Sequence, residues 1–190
     1  MRLKRVVRIK CFLIKKSDKS GVNMRLNIFV YNILALAIVY ILFLLFKGPT
    51  NILNALFVPL TLLIFSFKSN FKERMIFYVT VILFSAIFFN IQFFFVIAYC
   101  FIAAILRVIL VNRFRALGSL LLLTVSVGVL FYLGIVLTDL VFLTRINSIM
   151  MNVLNNNVFV YAFVIIVEAG FVSVLLFWFS KLFMRRIRLN

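Results

Sequence analysis

The chain has 190 residues, 66% of them hydrophobic, with 25 phenylalanines, 21 Lys and Arg against 4 Asp and Glu, and no histidine. A soluble domain is about half apolar, and its surface helices carry apolar stripes beside charged faces. Long stretches here carry no charge at all, which excludes a water-soluble domain and makes lipid the solvent of the fold.

A net charge of +17 in a soluble protein would point to nucleic acid. Here the charges form short clusters between lipid-length segments. That arrangement serves as topology signals and as contacts to anionic lipid headgroups, and no nucleic-acid partner is expected. Cys11 lies in the basic leader and Cys100 in mid-membrane, so neither a disulfide framework nor a metal site is expected.

Residues 1–25 form a basic segment with Arg2, Lys4, Arg5, Arg8, Lys10, Lys15, Lys16, Lys19 and Arg25. A signal peptide would follow such a region with a short apolar stretch and a small-residue cleavage site. Instead the apolar part continues as a full first span, 27–46. Met24-Arg25-Leu26 echoes Met1-Arg2-Leu3, which makes Met24 an alternative start.

The second span, 51–67, is short, follows Gly48-Pro49 and contains Pro59. Proline removes an amide donor and kinks a helix, which a membrane tolerates where neighbours cover the freed carbonyl. Spans three and four, 75–89 and 91–111, are expected to form a tight hairpin through Asn90. Span five is 116–141 and span six 158–183. The fold class is therefore all-α: one transmembrane bundle of about six helices over 26–183, followed by a basic tail, 184–190.

The loops fix an orientation. Besides the nine leader residues, Lys68, Lys72, Arg74, Arg107, Arg113, Arg115, Lys181, Arg185, Arg186 and Arg188 fall on one side, against Lys47 and Arg145 on the other. Cytoplasmic loops carry the Lys/Arg excess, so both termini are expected in the cytoplasm and the bundle in the cell membrane. Within the outer segment 142–157, Ile146, Ile149, Met150 and Val153 have the spacing of a short amphipathic helix at the interface or capping the bundle; an ordinary surface loop is the alternative.

Glu168 is the residue most suggestive of function. It lies about ten residues, or about 15 Å, into the sixth span. An ionised carboxylate costs several kcal/mol there, so it is expected to face the bundle interior, either protonated or bonded to hydroxyls. Thr124, Ser126, Tyr99, Thr80 and Ser85 lie at similar depth. A midplane ligand or proton site would use Glu168 with Ser126, Thr124 and Tyr99; a neutral acid gluing helices together is the structural alternative. Asp139, near the outer end of span five, would stand at the rim of an outward pocket or simply meet water or Arg145. Arg107 is expected to snorkel to the headgroups. Ala162, Ala169 and Ser173 share one face of span six, where small residues permit close packing. The aromatic run at 88–95 reads as lipid-facing.

With no histidine and a single mid-membrane acid, no hydrolase, peptidase or metal constellation can be assembled within the bilayer. No nucleotide-binding loop occurs. The chain is expected to be non-catalytic and to need no cofactor.

In size, span number, orientation and basic cytoplasmic loops, the chain from Arg25 onward resembles the membrane-embedded substrate-binding subunits of energy-coupling-factor vitamin transporters. That resemblance implies a subunit that binds or transports a small molecule. The outer helix ends and 142–157 would enclose a vitamin-like ligand, and the cytoplasmic face would meet a coupling subunit and its ATPases. Scaffold subunits of cell-wall or cell-shape machinery, such as the MreD family, and bacteriocin-immunity proteins share the same outline. A ligand-binding subunit predicts an outward polar pocket containing Glu168 or Asp139. A scaffold predicts a filled bundle with an apolar groove, and an immunity protein predicts exposed outer determinants without a pocket.

Overall fold

Lipid offers the backbone no hydrogen bonds, so a spanning chain must satisfy its own amides, and helices do so within one segment. The computed structural model describes residues 30, 32–46, 51–67, 69–112 and 115–189. The basic leader with Cys11 and Met24, and also Lys47, Lys68 and Arg113, lie outside the described residues.

Among the described residues there are seven α-helices and no strand: α1 Asn32–Leu45, α2 Ile52–Ser66, α3 Phe71–Phe88, α4 Phe93–Asn112, α5 Ala116–Phe142, α6 Ile146–Val153 and α7 Val158–Leu189. Three stretches, Asn90–Asn112, Ala116–Phe142 and Val158–Phe183, are long and apolar enough to cross a membrane, while α1 and α2 are shorter apolar helices.

The central helix is α4, which packs against α2, α3, α5 and α7. Half of its span is buried within the protein, against 22% for α5 and for α7. The reason is visible in its side chains. Phe95, Tyr99, Ile102, Leu106 and Ile109 form one buried stripe and Val96, Cys100 and Ala103 a second, so two faces find partners. The helices α5 and α7 keep one buried face each and present Leu, Val and Phe to the outside.

Small residues set the α5–α7 approach. A methyl added at Gly128 would lie 3.5 Å from the Ala169 methyl, and Ala169, Val172, Ser173, Leu176 and Ser180 bury one stripe of α7. Close approach of this kind is how membrane helices gain packing energy when lipid is as apolar as leucine. Ala162, placed on this face by its spacing, is exposed, and Tyr161 is buried instead. Crossing helices touch over a limited length, so the contact face turns toward Tyr161 in the first turns of α7.

Two boundaries differ from the sequence reading. The third helix starts at Phe71 rather than 75, because the Glu73 carboxylate accepts the Asn70 amide at 3.1 Å and caps a turn whose Lys72, Glu73 and Arg74 read as loop. The hairpin between α3 and α4 turns where expected, through a 3-10 turn Asn90–Gln92, but α4 proper begins at Phe93. Pro59 does not break α2, which runs through it with the ring buried. On α1 the buried residues are Ala35, Val39 and Phe43, and the Tyr40 and Phe43 rings meet Phe89 at 5.5 and 5.1 Å.

Candidate functional site

Three polar centres stand out in this apolar frame. The first surrounds Glu168 on α7. Its carboxyl shares a space of about 20 Å³ with Phe95, Phe131, Tyr132, Ile135, Met150 and Ile165. One water needs roughly 10–15 Å³, so the space holds a water and nothing larger. Met150 comes from α6, which closes the space on one side.

The hydroxyls expected to bond Glu168 go elsewhere. Ser126 is half-buried on α5 and donates to the Leu122 carbonyl at 2.7 Å. Thr80 donates to Ile76 and Ser85 to Ile82. Each is satisfied within its own helix, the usual recourse of Ser and Thr in an apolar helix. Thr124 is half-buried and does not line the space. Tyr99 is buried in the core and lies within electrostatic range of Glu168. Of the five candidate ligand residues, Glu168 and Tyr99 come near one another, while Ser126 and Thr124 do not line the space and Asp139 is used differently.

Asp139 forms the second centre. Its Oδ1 accepts the Thr144 hydroxyl at 2.5 Å and the Ile146 amide at 2.9 Å, and its Oδ2 accepts the Asn147 amide at 2.8 Å. Those amides open α6, so Asp139 holds that helix by its N-terminus, where unpaired N–H groups and the helix dipole favour an anion. Leu143, left-handed at φ 52°, reverses the chain between them. The short amphipathic helix expected in 142–157 is present as α6. Ile146 and Met150 pack on the core while Ile149 and Val153 stay exposed. No ion pair links Asp139 to Arg145 among the described residues.

The third centre is a groove between α3 and α4 of about 330 Å³. Met75, Tyr78, Val79, Ile82, Ile97, Cys100, Phe101, Ala104 and Val108 give it a mainly apolar wall, and Phe71, Arg74 and Arg107 stand at one end. From sequence alone Arg74 is a loop charge and Arg107 a snorkelling side chain. The signal that joins them is the hairpin. Arg74 stands sixteen residues before Asn90 and Arg107 sixteen after Ile91, so an antiparallel pair turning there brings them level.

No protein-family model, curated protein or solved structure matches the chain. The residues themselves carry the functional reading.

Proposed function

We propose that the chain is a non-catalytic scaffold subunit of a membrane machinery, of the kind that serves cell-wall synthesis or cell shape. It sits in the cytoplasmic membrane with both termini inside. In this reading α1 to α5 and α7 are the six spans, and α6 lies at the outer face. The charge asymmetry of the loops supports that orientation.

The observation that carries the scaffold role is how the two acids of the bundle are used. Glu168 has room beside it for one water, and Asp139 is engaged by α6. A ligand-binding subunit predicts an outward polar pocket containing Glu168 or Asp139. Among the described residues, an opening of ligand size lies sideways, between α3 and α4.

Co-purification in mild detergent, with mass spectrometry of both proteins and small molecules, tests the role. Other membrane proteins of an envelope machinery are expected, without a bound solute. Glu168→Gln, which keeps shape and removes the charge, is expected to leave their recovery within about twofold of wild type. A retained vitamin-sized molecule lost in this variant, or coupling and ATPase subunits, would sink the scaffold reading.

Orientation has its own test, in a chain with Cys11 and Cys100 replaced by Ser. A cysteine introduced at Asn155 is expected to react with a membrane-impermeant maleimide in intact cells. One introduced at Asn112 is expected to react only after permeabilisation. The reverse pattern would invert the topology.

A further inference from the structure

The groove between α3 and α4 combines two features that are costly apart. Its walls are apolar and open to the surroundings, with Met75, Val79, Phe101 and Val108 each about half exposed. From Phe71 to Ile82 the α3 wall runs about 16 Å. At one end stand two guanidinium groups that repel one another.

Among the described residues, no carboxylate pairs with either cation. Arg74 Nη1 and Arg107 Nε are buried donors with no hydrogen-bond partner among the described residues, and no acidic side chain lines the groove. Arg107 reaches the Phe67 carbonyl only at 3.5 Å. Its guanidinium lies 5.9 Å from the Phe67 ring centre, and that of Arg74 5.5 Å from the Phe71 ring centre. The one nearby acid, Glu73, caps α3 through the Asn70 amide. Buried, unpaired donors on a cation are expensive, and two side by side call for a shared anion.

We propose that this groove is a binding site for one anionic phospholipid, its phosphate held between Arg74 and Arg107 and an acyl chain lying along the α3–α4 wall. Charge complementarity selects this occupant. Two guanidinium forks match a phosphate, which accepts several charge-assisted hydrogen bonds at once. The apolar length beyond them suits a hydrocarbon tail, and a free phosphate ion would leave that length unused. The Tyr78 hydroxyl, 3.1 Å from the Ser66 hydroxyl, adds a polar edge to the same wall. Arg107 stands five residues inside the end of α4, about 7 Å along its axis, at the depth where a headgroup meets the chains. The inference needs only that the long apolar helices span a bilayer, and it stands whether or not the scaffold role does.

The test uses the full chain in mild detergent, titrated with phosphatidylglycerol, phosphatidylcholine, diacylglycerol or inorganic phosphate. Bound lipid is counted by native mass spectrometry and stability by thermal unfolding. Phosphatidylglycerol is expected to bind one to one and raise the unfolding temperature, with the other three ineffective at equal concentration. The double variant R74Q/R107Q is expected to weaken that binding about thirtyfold, from about 1 kcal/mol per basic residue. Ala104→Phe, which fills the groove and keeps both arginines, is expected to weaken it too. Should the double variant not fold, the headgroup series on the wild-type chain and Ala104→Phe decide. Equal binding of phosphatidylcholine, full protection by inorganic phosphate alone, binding unmoved by Ala104→Phe, or a partner protein's helix crosslinked into the groove would each overturn the proposal.

Discussion

Gly134→Leu is expected to abolish assembly of the bundle, while Gly134→Ala is tolerated. Gly134 is buried on α5 against α4. A methyl built there lies 3.3 Å from two carbons of the Phe95 ring, a distance the ring can relieve by giving a few tenths of an ångström. Leucine adds three further carbons where Phe95 and Ile135 are already buried. Phe95 has little freedom to yield, since its ring also walls the water-sized space at Glu168. Overpacking costs about 1–3 kcal/mol and sometimes more, and a membrane bundle has little hydrophobic reserve to offset it. Monodisperse yield in detergent and the midpoint of thermal unfolding give the readout. A Leu variant as stable as wild type would show that the α4–α5 seam is loosely packed.

The second large effect is expected at Asp139. Asp139→Ala removes the acceptor of three hydrogen bonds at once and leaves α6 to its packing contacts, Ile146 and Met150 among them. Hydrogen bonds to a charged group contribute about 1.5–3 kcal/mol each. Asp139 is only half-buried, so solvent screening lowers the total to about 2 kcal/mol, or about thirtyfold in the opening equilibrium. Hydrogen exchange at the amides of 149–153 is expected to speed up by that factor, with α4 and α5 unchanged. Asp139→Asn should fall between. Its amide oxygen can still accept from Thr144 and Ile146, but its NH₂ group faces the Asn147 amide, donor to donor. Unchanged exchange in the Ala variant would mean that α6 is held by its apolar side chains, not by the carboxylate.

How far the sequence reveals this molecule depends on which physical question is asked. The apolar runs of α4, α5 and α7 announce themselves, because a helix in lipid needs about twenty uncharged residues and little else does. The hairpin at Asn90 and the amphipathic α6 are likewise local, written in the spacing of a few residues. The start of α3 is not, since a charged turn reads as loop until Glu73 is seen to cap it.

Partners across helices are harder still. Depth along a helix follows from residue number, but rotation about its axis follows from what packs where. Thr124 and Ser126 share the depth of Glu168, yet they lie two apart and cannot both face α7. Ser126 bonds its own helix, and neither residue lines the space beside Glu168. Arg74 and Arg107 come from elements with no sequence proximity, and only the shared turn makes them neighbours.

The shortness of α2 bears on how the chain is built in the membrane. Its 15 residues rise about 22 Å, short of a hydrocarbon core of about 30 Å. Asn54, Ser66 and the Pro59 ring are buried in it, with half of its other side chains. During insertion, α4, α5 and α7 can each leave the translocation channel sideways into lipid on their own hydropathy. The second helix emerges before any of the three, yet its main packing partners are α4 and α7. Its packing against α7 can therefore be completed only after more than a hundred later residues have been synthesised. A ribosome stalled inside that interval would leave α2 without its neighbours, the form of this protein that membrane quality control has most reason to recognise.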